Sequence, residues 1–389
     1  MITIRAITNL EEFETLMSYW QSWQNNPNSD FGLFQLVCRL RREVISPYVI
    51  AVELSGQPCA LLVGRLERIG FAPRVGYFKP VMIPAKILTI IYTGWLGQVD
   101  EDIAKALFRF LSSVLVSGVA DAVAFDQLPD NSPLLNTLMA HGSRLLCQKK
   151  LSWSLHWKMS LPEEGGFLDY KLKAKHRSWI RRKYRELESA FPGKVSWQWM
   201  SHFADVPALC AKLEGVAALT YQRALGAGFV DNEEHRHRFS LFSDHGQLRV
   251  LTLDIEGYTR AFWIGEVYQG VFYSSETGYD PELRDYEPGN LLFVKMADEL
   301  MREGIREFDF GLGDAFYKKR FGDQYWKEAT VWHFAPTVKG LALRSYQWIF
   351  VTLDTVGRSV LQKLGGIDKL KTRWRRHLVV SSKPKYDEK

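Results

Sequence analysis

Apolar residues in the first segment recur at helical spacing. Over residues 8–24, Leu10, Phe13, Leu16, Met17 and Trp20 predict an amphipathic helix. The pattern then changes to strands. PYVIAVEL and QPCALLVGRLERI flank Ser55-Gly56 and predict a hairpin, and ILTIIYTGWLG (87–97) predicts a third strand. A helical stretch, DIAKALFRFLSSVLVSG, closes at Gly118, and VADAVAFDQL predicts a further strand before the loop PDNSP.

The second half repeats this order. LRVLTLDI and TRAFWIGEVY flank Glu256-Gly257, VFYSSETGY follows Gln269-Gly270, a helix runs from about Asn290 to Gly304, and IREFDFGL is the strand after it. The helix-to-strand junctions also match, Gly118-Val119-Ala120-Asp121 beside Gly304-Ile305-Arg306-Glu307. One supersecondary unit recurring at about half the chain length predicts a duplication. The expected architecture is α/β (α+β), with two tandem domains, each a mixed, mostly antiparallel sheet flanked by helices. Their expected limits are 1–160 and 196–336, joined by a basic connector helix (161–195) and followed by a helical extension and basic tail (337–389).

In the connector KLKAKHRSWIRRKYRELESAF, Ile180, Tyr184, Leu187 and Phe191 share a helical face, and Pro192-Gly193 ends it. Its cations admit three roles: an ordinary linker, electrostatic steering of an anionic substrate, or contact with an RNA backbone. The tail LKTRWRRHL, with Trp374 among cations, is either a solvated end or a peripheral contact with an anionic membrane surface.

Composition narrows the class. With 389 residues, 46% of them hydrophobic, the chain fills more than one core, and a net charge of +6 is too small for a nucleic-acid-binding signature. Cys38, Cys59, Cys147 and Cys210 lie far apart, which predicts free thiols in a reducing compartment. No run of about 18 uncharged apolar residues marks a spanning helix, and the expected location is the cytoplasm. His141, His176, His235 and His237 lack metal-ligand spacing, and G-x-S-x-G, Walker and dinucleotide fingerprints are absent.

A strand, a helix and a parallel strand can splay to open a cleft, with the free N–H groups of the helix start aimed at it. In the second half that start is Tyr286-Glu287-Pro288-Gly289-Asn290-Leu291, where Pro suits the first turn and Gly allows close approach to the backbone. It reads either as a well-capped core helix or as an anion site. The first half carries Asp100-Glu101-Asp102 there, carboxylates that repel a phosphate. Glu276, on a strand rich in polar residues, is either a cleft-facing general base with a raised pKa or a carboxylate paired with an Arg. Asp314 and Lys318 lie in the loop beyond the last strand. They are candidates to accept a proton and to balance an oxyanion, or else ordinary surface charges.

The blocks TYQRALGAGFVDN (220–232), AFWIGEVY (261–268), TGYDPELRDYEPGNLLF and REFDFGLGDAFYKKRFGD resemble GNAT-superfamily acyltransferases of the CelD-type, BioF2-like group. The segment Tyr317-Lys318-Lys319-Arg320-Phe321-Gly322 also resembles the end of the Fem-type peptidoglycan aminoacyltransferase signature. The resemblance covers about 171–335 and implies two GNAT-like domains, the first non-catalytic. It implies an acyl-CoA donor, usually acetyl-CoA, no metal, and direct transfer to an amine or hydroxyl of a small molecule, sugar or cell-envelope precursor. It places Pro288, Gly289, Asn290 and Leu291 at the pyrophosphate. Tyr221, Arg223 and Asp309 line the acceptor side, and Asp314, Tyr317 and Lys318 stand beside the reacting centre with Glu276. This start has fewer glycines than the usual GNAT phosphate loop and no basic residue. Two alternatives remain open: a Fem-type enzyme using aminoacyl-tRNA, and a non-catalytic binding module of polysaccharide biosynthesis.

Overall fold

The computed structural model describes residues 2–73, 80–220, 223, 226 and 228–363. Tyr221 and the tail LKTRWRRHL lie outside the described residues. The chain divides into two compact units, one of residues 1–155 and 326–367, the other of 156–325 and 368–389.

The strands are β1 Ile2–Ile7, β2 Val44–Leu54, β3 Gln57–Phe71, β4 Ile83–Gly97, β5 Ala122–Pro129, β6 Ser154–Ser160, β7 Val195–Met200, β8 Leu248–Ile255, β9 Tyr258–Tyr268, β10 Val271–Tyr279, β11 Glu307–Leu312 and β12 Gln324–Phe334. The helices needed below are α1 Met17–Trp23, α2 Phe31–Leu40, α3 Glu101–Val116, α4 Pro133–His141, α5 Ala174–Ala190, α6 Val206–Ala217, α7 Glu233–Asp244, α8 Pro288–Arg302, α9 Phe316–Phe321 and α10 Val338–Lys363.

In the first unit the sheet order is β1-β2-β3-β4-β5-β12, with β4–β5 parallel and the other described pairs antiparallel. The β2–β3 turn is made by Ser55 and Gly56, both at positive φ, as a two-residue hairpin loop requires. Helix α3 starts where Asp100 accepts a hydrogen bond from the Ile103 N–H. It buries Ala104, Leu107, Leu111 and Leu115 on one stripe against Leu62, Leu88, Val123 and Phe125. The opposite face is covered by Phe13, Leu16, Trp20, Phe31 and Phe34. The single helix expected over 8–24 is broken: a 3-10 turn at Glu14–Leu16 separates two helical pieces, and Met17 is 42% exposed.

The second unit has the matching order β7-β8-β9-β10-β11-β6, again with one parallel pair, β10–β11. Its two-residue turns are Glu256-Gly257 and Gln269-Gly270, all four residues at positive φ. Phe262 and Trp263 are neighbours on β9 and therefore point to opposite faces. Trp263 meets Phe293 of α8, whereas Phe262 meets Phe229, which stacks on Phe239 of α7. Helix α8 thus covers one face and α6–α7 the other.

The last strand in each unit's order comes from beyond its own repeat. β6 follows the first repeat in sequence but pairs with β11, and β12 follows the second repeat but pairs with β5. The segment 324–334, which sequence assigns to the second domain's range, therefore completes the sheet of the first unit.

Candidate active site

In the second unit the parallel register between β10 and β11 runs only over Val271–Tyr273 with Glu307–Asp309. Both strands then continue, to Tyr279 and Leu312. The backbone from Ser274 to Gly278 lies outside the parallel register, as a splayed pair requires. Helix α8 begins beside this gap. Its N-cap, Glu287, is left-handed (φ 57°), and no side chain caps the first turn. A pocket of about 540 Å³ lies at the same place. Pro288, Gly289 and Asn290 line it at the helix start, Thr277, Gly278 and Tyr279 on β10, and Arg284 and Arg320 at its edges. Trp263, Phe293 and Tyr317 form its aromatic wall, with Tyr317 edge-on to Trp263 at 6.1 Å.

The pocket joins a helix N-terminus, two guanidinium groups and an apolar wall. That combination suits a ligand with an anionic end and a thinner apolar end. Arg320 stacks on Phe316 at 4.6 Å and donates to His176 Nε2 at 2.8 Å. Burial and the Arg320 charge both lower the His176 pKa, which keeps the ring neutral as an acceptor.

A β-bulge at Ser275 decides where Glu276 points. Before it, Ser274 accepts a hydrogen bond from the Trp263 indole on the α8 face. The extra residue reverses the alternation. Ser275 and Glu276 both turn toward α7, while Thr277 reaches the pocket. Glu276 is therefore across the sheet from the pocket lining, beside the same gap. Ser275 donates a hydrogen bond to Glu266, which is fully buried, and Arg238 of α7 pairs with Glu266 at 3.1 Å. Burial raises the Glu276 pKa to about 7, with Arg238 opposing and Glu266 reinforcing the rise.

The other sequence candidates separate. Asp309 shares the Glu276 side of the sheet: it pairs with Tyr273 in register and contacts His156 Nε2 at 2.7 Å, both side chains buried. Tyr317 lines the pocket. Leu291 does not line the pocket: its side chain is fully buried in the core and its N–H donates to the Glu287 carbonyl. Lys318 is buried too, and its ammonium donates to the carbonyls of Phe310 and Leu312 at 2.6 Å and of Gly311 at 3.3 Å. It clamps the end of β11, so the expectation of a lysine free to meet an oxyanion is corrected. Asp314 is exposed, pairs with Lys319 at 2.9 Å and does not line the pocket. Arg223 bridges Glu214 and the Phe229 carbonyl.

Sequence reasoning missed Arg284, Arg320, Trp263, Arg238 and Glu266. Two signals were available: Arg284 lies four residues before Pro288, and Glu266 is a lone carboxylate in the apolar strand AFWIGEVY. In the first unit the corresponding helix start is capped by Asp100, with Glu101 paired to Lys105, so carboxylates stand where an anion would bind.

Comparison with known proteins agrees with this fold. The family described as "Acetyltransferase (GNAT) domain" matches residues 174–319. FemX is similar over 85% of this chain and 97% of its own, at 13% identity and a TM-score of 0.56. A tandem GNAT protein from the clavulanic acid biosynthesis pathway is similar over 86% and 99%, at 11% identity and 0.51. L-PGS from Bacillus licheniformis is similar over 90% and 98%, at 13% identity and 0.50. At such identities the likeness is one of fold: two tandem GNAT-like domains. No curated protein sequence matches the chain.

Proposed function

We propose that the second unit is an acyltransferase that moves an acyl group, acetyl in the simplest case, from coenzyme A to an amine or hydroxyl. The single observation that carries this reading is the pocket of about 540 Å³ where the helix start, two arginines and the β10–β11 gap converge. The Gly289 amide, Arg284 and Arg320 would hold the pyrophosphate, and the pantetheine arm would follow Thr277 and Trp263 into the gap.

In the reaction the acceptor approaches from the α6–α7 side. Its nitrogen or oxygen lone pair attacks the thioester carbonyl carbon, the C–S bond breaks, and coenzyme A leaves as its thiolate. Glu276 accepts the proton released by the nucleophile. A carboxylate with a pKa near 7 suits that task, since about half of it is ionised at neutral pH and it is far more basic than an ordinary carboxylate. Alignment of the two reactants supplies several kcal/mol, and water is kept out by the aromatic wall. The block resemblance supports placement in the CelD-type, BioF2-like group, with a sugar or cell-envelope precursor as acceptor.

A second reading, transfer from an aminoacyl-tRNA, is favoured by one observation. Helix α5 contributes Trp179 to the pocket and exposes Lys175, Arg181, Arg182 and Arg185 along its length. Thiol release from acetyl-CoA in the presence of an amine panel, run beside deacylation of charged tRNA, tests both. Acceptor-dependent thiol release supports the first reading. Acceptor-dependent loss of charge from tRNA alone overturns it in favour of the second.

A further inference from the structure

Helix α10 belongs to the first unit, and its polarity is inverted. Successive residues advance about 100°, so Leu341, Trp348, Ile349, Leu353 and Val356 fall within an arc of roughly 140°. All five are exposed, Trp348 at 59% and Leu353 at 56%. Between Val338 and Gly357 the only charged residues are Lys339, Arg344 and Asp354, and each falls outside that arc. Lys339 pairs with Asp121 at 2.8 Å. The inward side instead buries Leu343 and Gln347, the latter donating to the Gln148 side chain at 2.8 Å. A surface helix ordinarily turns its charges outward; this one turns out a tryptophan and a row of aliphatic groups.

The apolar surface extends beyond the helix. Tyr346 donates to the Val81 carbonyl at 2.7 Å, which brings Val81 and Met82, exposed at 79% and 69%, beside α10. A contiguous exposed patch of this kind marks a surface that meets something apolar. The sequence identifies the occupant. Residues 363–377, which run on from the helix, carry six Lys or Arg and a single Asp. Apolar side chains with an indole, flanked by a dense basic segment, match the interface of an anionic bilayer. A second copy of the chain is a poorer match, because a chain of net charge +6 offers the basic segment no comparable counter-charge.

We propose that the outer face of α10, with Val81 and Met82, docks the protein on an anionic lipid surface, the basic segment 363–377 supplying attraction to the headgroups. The test is flotation of the full-length protein with vesicles of phosphatidylcholine alone and of phosphatidylcholine with phosphatidylglycerol. The same assay is run on a Trp348→Glu/Leu353→Glu variant and an Arg375→Glu/Arg376→Glu variant. Both Glu-substituted helix positions are exposed, and an unchanged circular dichroism melt confirms that the fold is kept. The wild type is expected to float with the anionic vesicles at low salt and to release at high salt, and each variant to lose partitioning on the order of tenfold. The proposal is overturned by wild type that stays with neither vesicle, by equal binding to both, or by a lipid-free dimer that the helix variant splits.

Discussion

The two most consequential residues are carboxylate and ammonium, and burial acts on them in opposite directions. Glu276 has its pKa raised to about 7 by burial, so the carboxylate needed to accept a proton is lost as pH falls through 7. The rate with wild type is expected to rise with pH along a limb centred near 7. Glu276→Gln is expected to lower kcat/KM about 100-fold and to abolish that limb. A Gln variant with the wild-type profile, in a stopped thiol-release assay, would remove Glu276 from the chemistry. Lys318 is buried, and burial pushes its pKa down to about 8. The folded state therefore binds fewer protons than the unfolded state between that value and the ordinary 10.5, so this group's contribution to stability increases as pH rises through that window. Lys318→Ala, which leaves three carbonyls without their donor, is expected to cost about 2 kcal/mol in a denaturant melt. An unchanged melt would contradict the clamp. The identities of both residues were legible in the sequence; the face to which Glu276 turns and the carbonyl partners of Lys318 were not. A one-residue bulge re-aims Glu276, and Lys318 folds back on its own loop; neither event leaves a periodic trace.

At the scale of elements, the local pattern was a reliable guide wherever contacts are local. The hairpin turns Ser55-Gly56, Glu256-Gly257 and Gln269-Gly270 sit where sequence put them, because only residues tolerant of positive φ serve there. Helices α3 and α8 follow their apolar stripes. Strands β6 and β12 were invisible, since each is defined by a partner more than a hundred residues away in the chain and by no turn of its own. The start of α8 carries the clearest element-level prediction. A Cβ at Gly289 would meet nothing within 4 Å, so Gly289→Asp is accommodated while placing a carboxylate at the helix N-terminus inside the pocket. Its melting temperature is expected to match wild type, and its KM for the donor to rise roughly tenfold or more. An unchanged KM would mean that the donor's anionic end lies elsewhere.

At the scale of the molecule, duplication was legible and strand exchange was not. Because β12 and the buried Leu343 of α10 complete the first unit, truncation after Asp323 is expected to unfold that unit although it removes only residues that follow the second repeat in sequence. Hydrogen exchange of the truncated protein should show residues 44–129 unprotected; full protection there would contradict the exchanged architecture. The asymmetry between the two helix starts, Asp100 in the first unit and Gly289 in the second, leaves one donor pocket per chain as the central claim. Calorimetric titration of coenzyme A into wild type and Gly289→Asp tests it most directly. One saturable site per chain in the wild type, weakened in the variant, is the expected result; absence of binding heat in both, or equal binding in both, would contradict it.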